Sequence, residues 1–185
     1  MRYLTAYRFS VNKFNRMCAA GLFEDEKVEL LNGLMTRMTS GPGHDYAVAL
    51  LSQILEKLLP ADRWSVREEK PVELGRFWRP QPDVAVVRGT HRDFAARTPC
   101  QSDIALIIEV SDSTYAKDTR IKLRQYERSG IAVYWVVDLS RRRVEVREMG
   151  GRGLAVPVYH HEDDDIRVVL DGKDYGRVPV GDLLP

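Results

Sequence analysis

A chain of 185 residues, 44% hydrophobic and 30% charged, suits a single domain over 1–185 that can bury a core, which excludes the disordered and fibrous classes. A net charge of +1 excludes a global field that would draw the chain onto nucleic acid, so any such contact must rest on local patches. Apolar runs such as Ile104 to Ile108 fall far short of the about 20 residues that span a bilayer, so no membrane partner is expected. The first eleven residues carry arginines and tyrosines rather than an apolar export core, which makes the expected compartment the cytoplasm. Cys18 and Cys100 make neither a disulfide framework nor a zinc pattern and are expected to pack as small apolar residues.

In chain order, Ser10 is a fitting N-cap for a short helix with Phe14, Met17 and Cys18 on one side, stopped near Gly21. Lys27 to Leu31 and Leu34 to Met38 flank Asn32-Gly33, the dipeptide of a two-residue hairpin turn, so Glu29 sits on a strand. After a loop from Thr39 to Gly43, Ala47, Leu50, Leu51, Ile54 and Leu58 recur at helical spacing until Pro60. Trp64 to Glu69 reads as a strand. Asp83 to Val87, Ile104 to Val110 and Val133 to Val137 are apolar runs without alternation, the mark of strands covered on both faces. Tyr115 to Ser129, ended by Gly130, reads as a helix, and strand, helix and strand predict a crossover unit. Val144 to Arg147, Ala155 to Tyr159 and Ile166 to Leu170 are short strands, separated by Gly150-Gly151, Gly153 and an acidic turn, that extend or cap the sheet.

Burying a carboxylate without a partner is costly, so Asp83 and Glu109, at the ends of apolar strands, each demand a cation, a donor or a place at the sheet rim. If those strands are neighbours, both acids can converge on one hard cation, Mg²⁺ above all, in an arrangement suited to phosphodiester cleavage. A lysine nearby would orient the attacking water or steady the phosphate. Asp118, Lys122 and Tyr126 share one helix face by their spacing, which makes Lys122 the candidate.

These residues resemble the Uma-type restriction endonuclease family, within the broader PD-(D/E)XK nuclease superfamily, and the resemblance runs along most of the chain. Glu29, Leu30 and Gly33 are similar to its Glu-Leu-x-x-Gly hairpin, and His44 to its histidine before the long helix. Gln81-Pro82-Asp83-Val84 resembles its proline-aspartate motif, and Glu109-Val110-Ser111 its Glu-Val-Ser strand end. Ser113-Thr114, Asp118, Lys122, Tyr126 and Gly130 keep its spacing, and Tyr134-Trp135-Val136-Val137-Asp138 resembles its Tyr-Trp-x-x-Asp strand. The resemblance implies an α/β, restriction-endonuclease-like fold: a mixed central sheet flanked by helices, with an N-terminal helix and hairpin and extra C-terminal strands. It implies a metal held by Asp83 and Glu109, with Glu29 as a further acidic ligand or water-holding group and Tyr126, His44 and Asp118 as accessories. The superfamily's lysine two residues after the second acid is replaced by Ser111, and Lys122 inherits its role. Leu34 and Val133 stand where the family often has glutamate.

Plainer readings stand beside these. Asp83 could accept backbone N–H bonds at a strand start, Glu109 could be a rim acid or pair with an arginine, and Lys122 could pair with Asp118 on a solvated face. Glu29 could point outward. For His44 a helix cap or a loop contact is the plainer role, and for Tyr126 it is packing. His160 to Asp165 reads as a charged turn rather than a second metal site, and Arg141-Arg142-Arg143 as a basic hairpin turn. The functional expectation is a nuclease that cuts DNA with Mg²⁺ or Mn²⁺, as a homodimer if both strands are cut. Its rivals are a non-catalytic nucleic-acid- or protein-binding module on the same fold and a hydrolase of another phosphoester.

Overall fold

The unbroken apolar runs become strands buried on both faces, as their lack of alternation requires. The computed structural model describes residues 6–112, 115–149 and 156–185. Ser113-Thr114, Gly150-Gly151, Gly153, Ala155 and the first five residues, named in the expectations above, lie outside the described residues. The described elements are α1 (Val11–Ala19), β1 (Val28–Leu31), β2 (Leu34–Arg37), α2 (Pro42–Leu58), β3 (Trp64–Glu68), β4 (Val84–Arg88) and β5 (Ile104–Ser111). There follow α3 (Tyr115–Lys117), a π-helical turn (Asp118–Lys122), α4 (Leu123–Arg128), β6 (Val133–Asp138), β7 (Arg143–Glu148), β8 (Val158–His161), β9 (Asp165–Leu170) and β10 (Lys173–Pro179). None of the described helices is long and apolar enough to cross a membrane.

The central sheet has the order β3-β4-β5-β6-β7-β8 among the described residues, and it is mixed. Only β5 and β6 pair in parallel, joined by α3, the π turn and α4 as the predicted crossover; the other neighbours are antiparallel. One sheet face, through Val84, Val86, Leu106, Ile108 and Trp135, packs on α2 and the β9–β10 hairpin. The other, through Ala85, Val87, Ile107, Tyr134 and Val136, packs on Leu123 and Tyr126 of α4.

The structure departs from the predicted elements at several points. α2 starts at Pro42, inside the predicted loop, because proline at the first helical positions gives up only an N–H that has no intrahelical acceptor. Its buried face is Ala47, Val48, Leu51, Ser52 and Leu55, with Leu50 and Ile54 on the flanks. β10 was not predicted: in Lys173–Pro179 only Val178 is buried, so no apolar period marks the strand. Cys18 and Cys100 are exposed, against the expectation of burial; in α1 the buried side chains are Val11 and Phe14, and Cys18 lies off that face.

The hairpin turn takes the expected form, with φ of 51° at Asn32 and 78° at Gly33. A Cβ on Gly33 would stand 2.6 Å from the Cβ of Arg8. Gly33→Ala is therefore expected to destabilise the protein by more than about 1 kcal/mol, from the positive φ and the clash together, seen as a lowered urea midpoint at unchanged slope.

Candidate active site

Strand register brings the two acids together. β4 and β5 are antiparallel with Val84 opposite Ile108, and the next step of that register faces Asp83 toward Glu109. Side chains alternate across a strand, so Asp83 follows Ala85 and Glu109 follows Ile107 onto the α4 side of the sheet. Both are buried, at 5% and 2% exposure.

The α3–α4 segment supplies the cations and hydroxyl that meet them. In an uninterrupted α-helix Asp118 and Tyr126 would be rotated about 80° apart; the extra residue of a π turn takes back about 100°, which brings them within about 20°. The carbonyl of Asp118 accepts the Leu123 N–H, the i+5 bond of that turn, and also the Tyr134 hydroxyl at 3.1 Å. Asp118, Lys122 and Tyr126 consequently all point into the protein.

Lys122 Nζ donates to Glu109 Oε2 at 2.9 Å, and the Tyr126 hydroxyl donates to Glu109 Oε1 at 2.6 Å. The same ammonium lies 3.4 Å from Glu29 Oε2 and 3.8 Å from Asp118 Oδ1. Glu29 reaches this cluster because β1 docks on the segment before β4, where Leu30 and Arg79 exchange backbone hydrogen bonds. Glu29 also accepts the Gln81 N–H at 3.3 Å and the Lys117 ammonium at 3.3 Å. Asp83 Oδ2 accepts the Val110 N–H at 2.6 Å, and His44 Nε2 stands 3.2 Å from Asp83 Oδ1. Ser111, at the position of the superfamily lysine, donates its hydroxyl to Asp118 Oδ2 at 2.7 Å.

Burial and neighbouring charge shift the protonation of Glu109, Lys122 and His44. Burial pushes the Glu109 carboxyl up to about 8, with Asp83, Asp118 and Glu29 adding to the rise and Lys122 opposing it. Burial by itself would lower the Lys122 ammonium, but Glu109, Glu29, Asp118 and Asp83 outweigh it and hold the proton more tightly than usual. The hydrogen bond to Asp83 raises His44 to about 9, so this imidazole is a cation at neutral pH.

Asp83, Glu109 and Asp118 open on a cavity of about 280 Å³ whose other walls include His44, Lys117 and Arg37. Two carboxylates facing one space are the donor type for a hard divalent cation that keeps several waters. Among the described residues no group of three or more His, Cys, Asp and Glu side chains is arranged to hold a metal. Such an ion would therefore take the rest of its shell from water or substrate oxygens.

The structure brings Glu29, His44, Asp83, Glu109, Asp118, Lys122 and Tyr126 to this one place. Several plainer readings fail here: Glu29 does not point outward, and the Lys122–Asp118 pair is buried rather than solvated. His44 does not cap α2, whose N-cap is Gly41 without a side-chain bond; it holds Asp83 instead. Asp83 does accept a backbone N–H at the strand start, as its plainer reading had it. The charged segment after β8 is a turn closed by the His161 N–H on Asp164, and Arg141 and Arg142 form a hairpin turn paired with Asp138 and Glu162. Sequence reasoning missed Lys117 and Arg37. Its only available signal for Lys117 was position, directly before Asp118; what makes it part of the site is the approach of β1 from a distant part of the chain.

Among solved structures, the fold is similar to that of a protein described as "a putative nuclease belonging to DUF820 from Anabaena variabilis", with a TM-score of 0.72, 12% identity, and 95% of this chain and 97% of that chain covered. At that identity the likeness is one of fold. No curated protein matches the chain. The family model Uma2, described as "Putative restriction endonuclease", matches residues 11–172, and on that match over most of its length the chain belongs to the Uma2 family.

Proposed function

We propose that the protein is a metal-dependent nuclease hydrolysing phosphodiester bonds of DNA, with Asp83 and Glu109 as ligands of Mg²⁺, or of Mn²⁺ in its place, and Lys122 as the assisting cation. The observation that carries this reading is the pair of register-matched carboxylates on one sheet face, opening on a cavity, with a buried lysine 2.9 Å from one of them. The family description and the nuclease of like fold support it. A divalent ion bound there would lower the pKa of a water and offset charge on the phosphate. In hydrolysis the water oxygen bonds to phosphorus, the bond to one sugar oxygen breaks, and that oxygen leaves as a hydroxyl with a proton from water. Tyr126 and Lys122 fix the Glu109 carboxylate, and His44 and the Val110 N–H fix Asp83, so neither acid needs to reorganise when substrate arrives. Glu29 holds Lys122 from the far side. Two copies acting together would cut both strands.

The test is cleavage of plasmid and single-stranded DNA with Mg²⁺ or Mn²⁺. Asp83→Asn and Lys122→Ala are each expected to lower the rate by about 10²-fold or more, and EDTA to abolish it. Equal rates in wild type and both variants would remove the assignment.

One observation favours a non-catalytic binding module on the same fold: all four oxygens of Asp83 and Glu109 already have protein donors. On that reading Mg²⁺ leaves the melting temperature unchanged, and Asp83→Asn binds DNA as the wild type does.

A further inference from the structure

The site contains two lysines in opposite circumstances. Lys122 is 2% exposed, and although it borders the cavity its ammonium is already committed to carboxylates, 2.9 Å from Glu109, 3.4 Å from Glu29 and 3.8 Å from Asp118. Lys117 has a side chain 26% exposed, touches one carboxylate oxygen at 3.3 Å, and stands in the cavity wall. Arg37, at the end of β2, lines the same cavity; its side chain is 68% exposed and its nearest acid, Glu26, is 3.9 Å away. The cavity thus has carboxylates on its inner wall and two weakly committed cations at its mouth. Four other arginines differ: Arg88, Arg97, Arg142 and Arg167 are held by carboxylates at 2.6–2.8 Å.

We infer that Lys117 and Arg37 form an anion subsite at the mouth of this cavity that takes a phosphate of the nucleic-acid backbone. The inference rests on the nucleic-acid reading of the cavity and deepens it. A phosphate needs cations that keep hydrogen-bonding capacity and solvent access, and exposed ammonium and guanidinium groups supply both. Lys122 positions the acids; Lys117 and Arg37 hold the substrate. Removing Lys117 leaves Glu29 with Lys122 and the Gln81 N–H, so the fold does not depend on it.

The experiment measures binding separately from cleavage. Fluorescence anisotropy of a labelled 20-nucleotide single strand and a matching duplex is followed in EDTA across a salt series, for wild type, Lys117→Met/Arg37→Met and Lys117→Arg. The double variant is expected to bind about tenfold more weakly with a salt slope reduced by about 2, and Lys117→Arg to bind as wild type, at unchanged melting temperature. An unchanged slope in the double variant overturns the subsite. Cleavage with Mg²⁺ is measured on the same proteins. Wild type that binds through these residues but cuts nothing overturns the nuclease reading and leaves the subsite standing. Wild type that cuts while the double variant binds and cuts equally well overturns the subsite alone.

Discussion

Lys122→Met is expected to lower the unfolding free energy by about 3–5 kcal/mol, the cost of leaving buried acids without their cation. Methionine fills the space of the lysine stem, so the loss is electrostatic rather than a cavity. Glu109 keeps the Tyr126 hydroxyl, and Glu29 keeps Lys117 and the Gln81 N–H, but the carboxylates that face Nζ lose the charge that opposes their mutual repulsion. Urea denaturation in EDTA measures the loss. A double-mutant cycle with Glu109→Gln at about pH 9, above the Glu109 value of about 8, isolates the pair: the lysine should be worth less by at least about 1 kcal/mol once its nearest acid is neutral. A loss under 1 kcal/mol for Lys122→Met would show that the cluster is solvated and would weaken the account of the site.

Glu109→Gln is expected to act in the opposite direction on stability and to abolish metal-dependent cleavage. With its folded pKa raised to about 8 by burial, Glu109 is protonated more readily in the folded than in the unfolded chain, so folding is favoured at low pH. This contribution is fully present below the unfolded value near 4.5 and is lost as pH rises toward 8. Glutamine carries no charge at any pH. Its amide oxygen can accept the Lys122 ammonium, and its NH₂ can donate to the Tyr126 oxygen. The variant is therefore expected to match wild type near pH 5 and to exceed it by on the order of 2 kcal/mol at pH 8 in EDTA, read from urea midpoints at each pH. Mg²⁺ should raise the melting temperature of wild type and leave that of the variant unchanged, because the ligand oxygen has become an amide. A variant less stable than wild type at pH 8 would contradict the electrostatic reading of Glu109.

Both predictions concern residues that the sequence already singled out, and the reason is local. Asp83 and Glu109 end apolar runs too long and too uniform to be anything but covered strands, and a carboxylate in that position has to be explained. Asn32-Gly33 specified its turn through backbone conformation alone, and the crossover between β5 and β6 followed from two apolar runs separated by a helical stretch. The spacing of Asp118, Lys122 and Tyr126 placed them on one face, although it did not reveal the π turn that aligns them, because that turn is held by the Tyr134 hydroxyl from another element.

What the sequence by itself determined, then, is the set of elements with strong apolar patterns, the α/β class, and which acids and which lysine had no ordinary place. Tertiary structure alone decided the rest. β10 forms by pairing with β9 and not by any pattern of its own. The buried faces of α1 and α2, and with them the exposure of Cys18, depend on which neighbours cover each helix. Glu29, which the family resemblance had named, meets Lys122 and Lys117, and Arg37 reaches the cavity, because a hairpin docks against the segment before β4, a contact between residues far apart in the chain. Burial and charge pairing are properties of such contacts: a carboxylate has the same intrinsic chemistry on any strand, and only the surrounding chain determines whether water, a lysine or another acid is beside it.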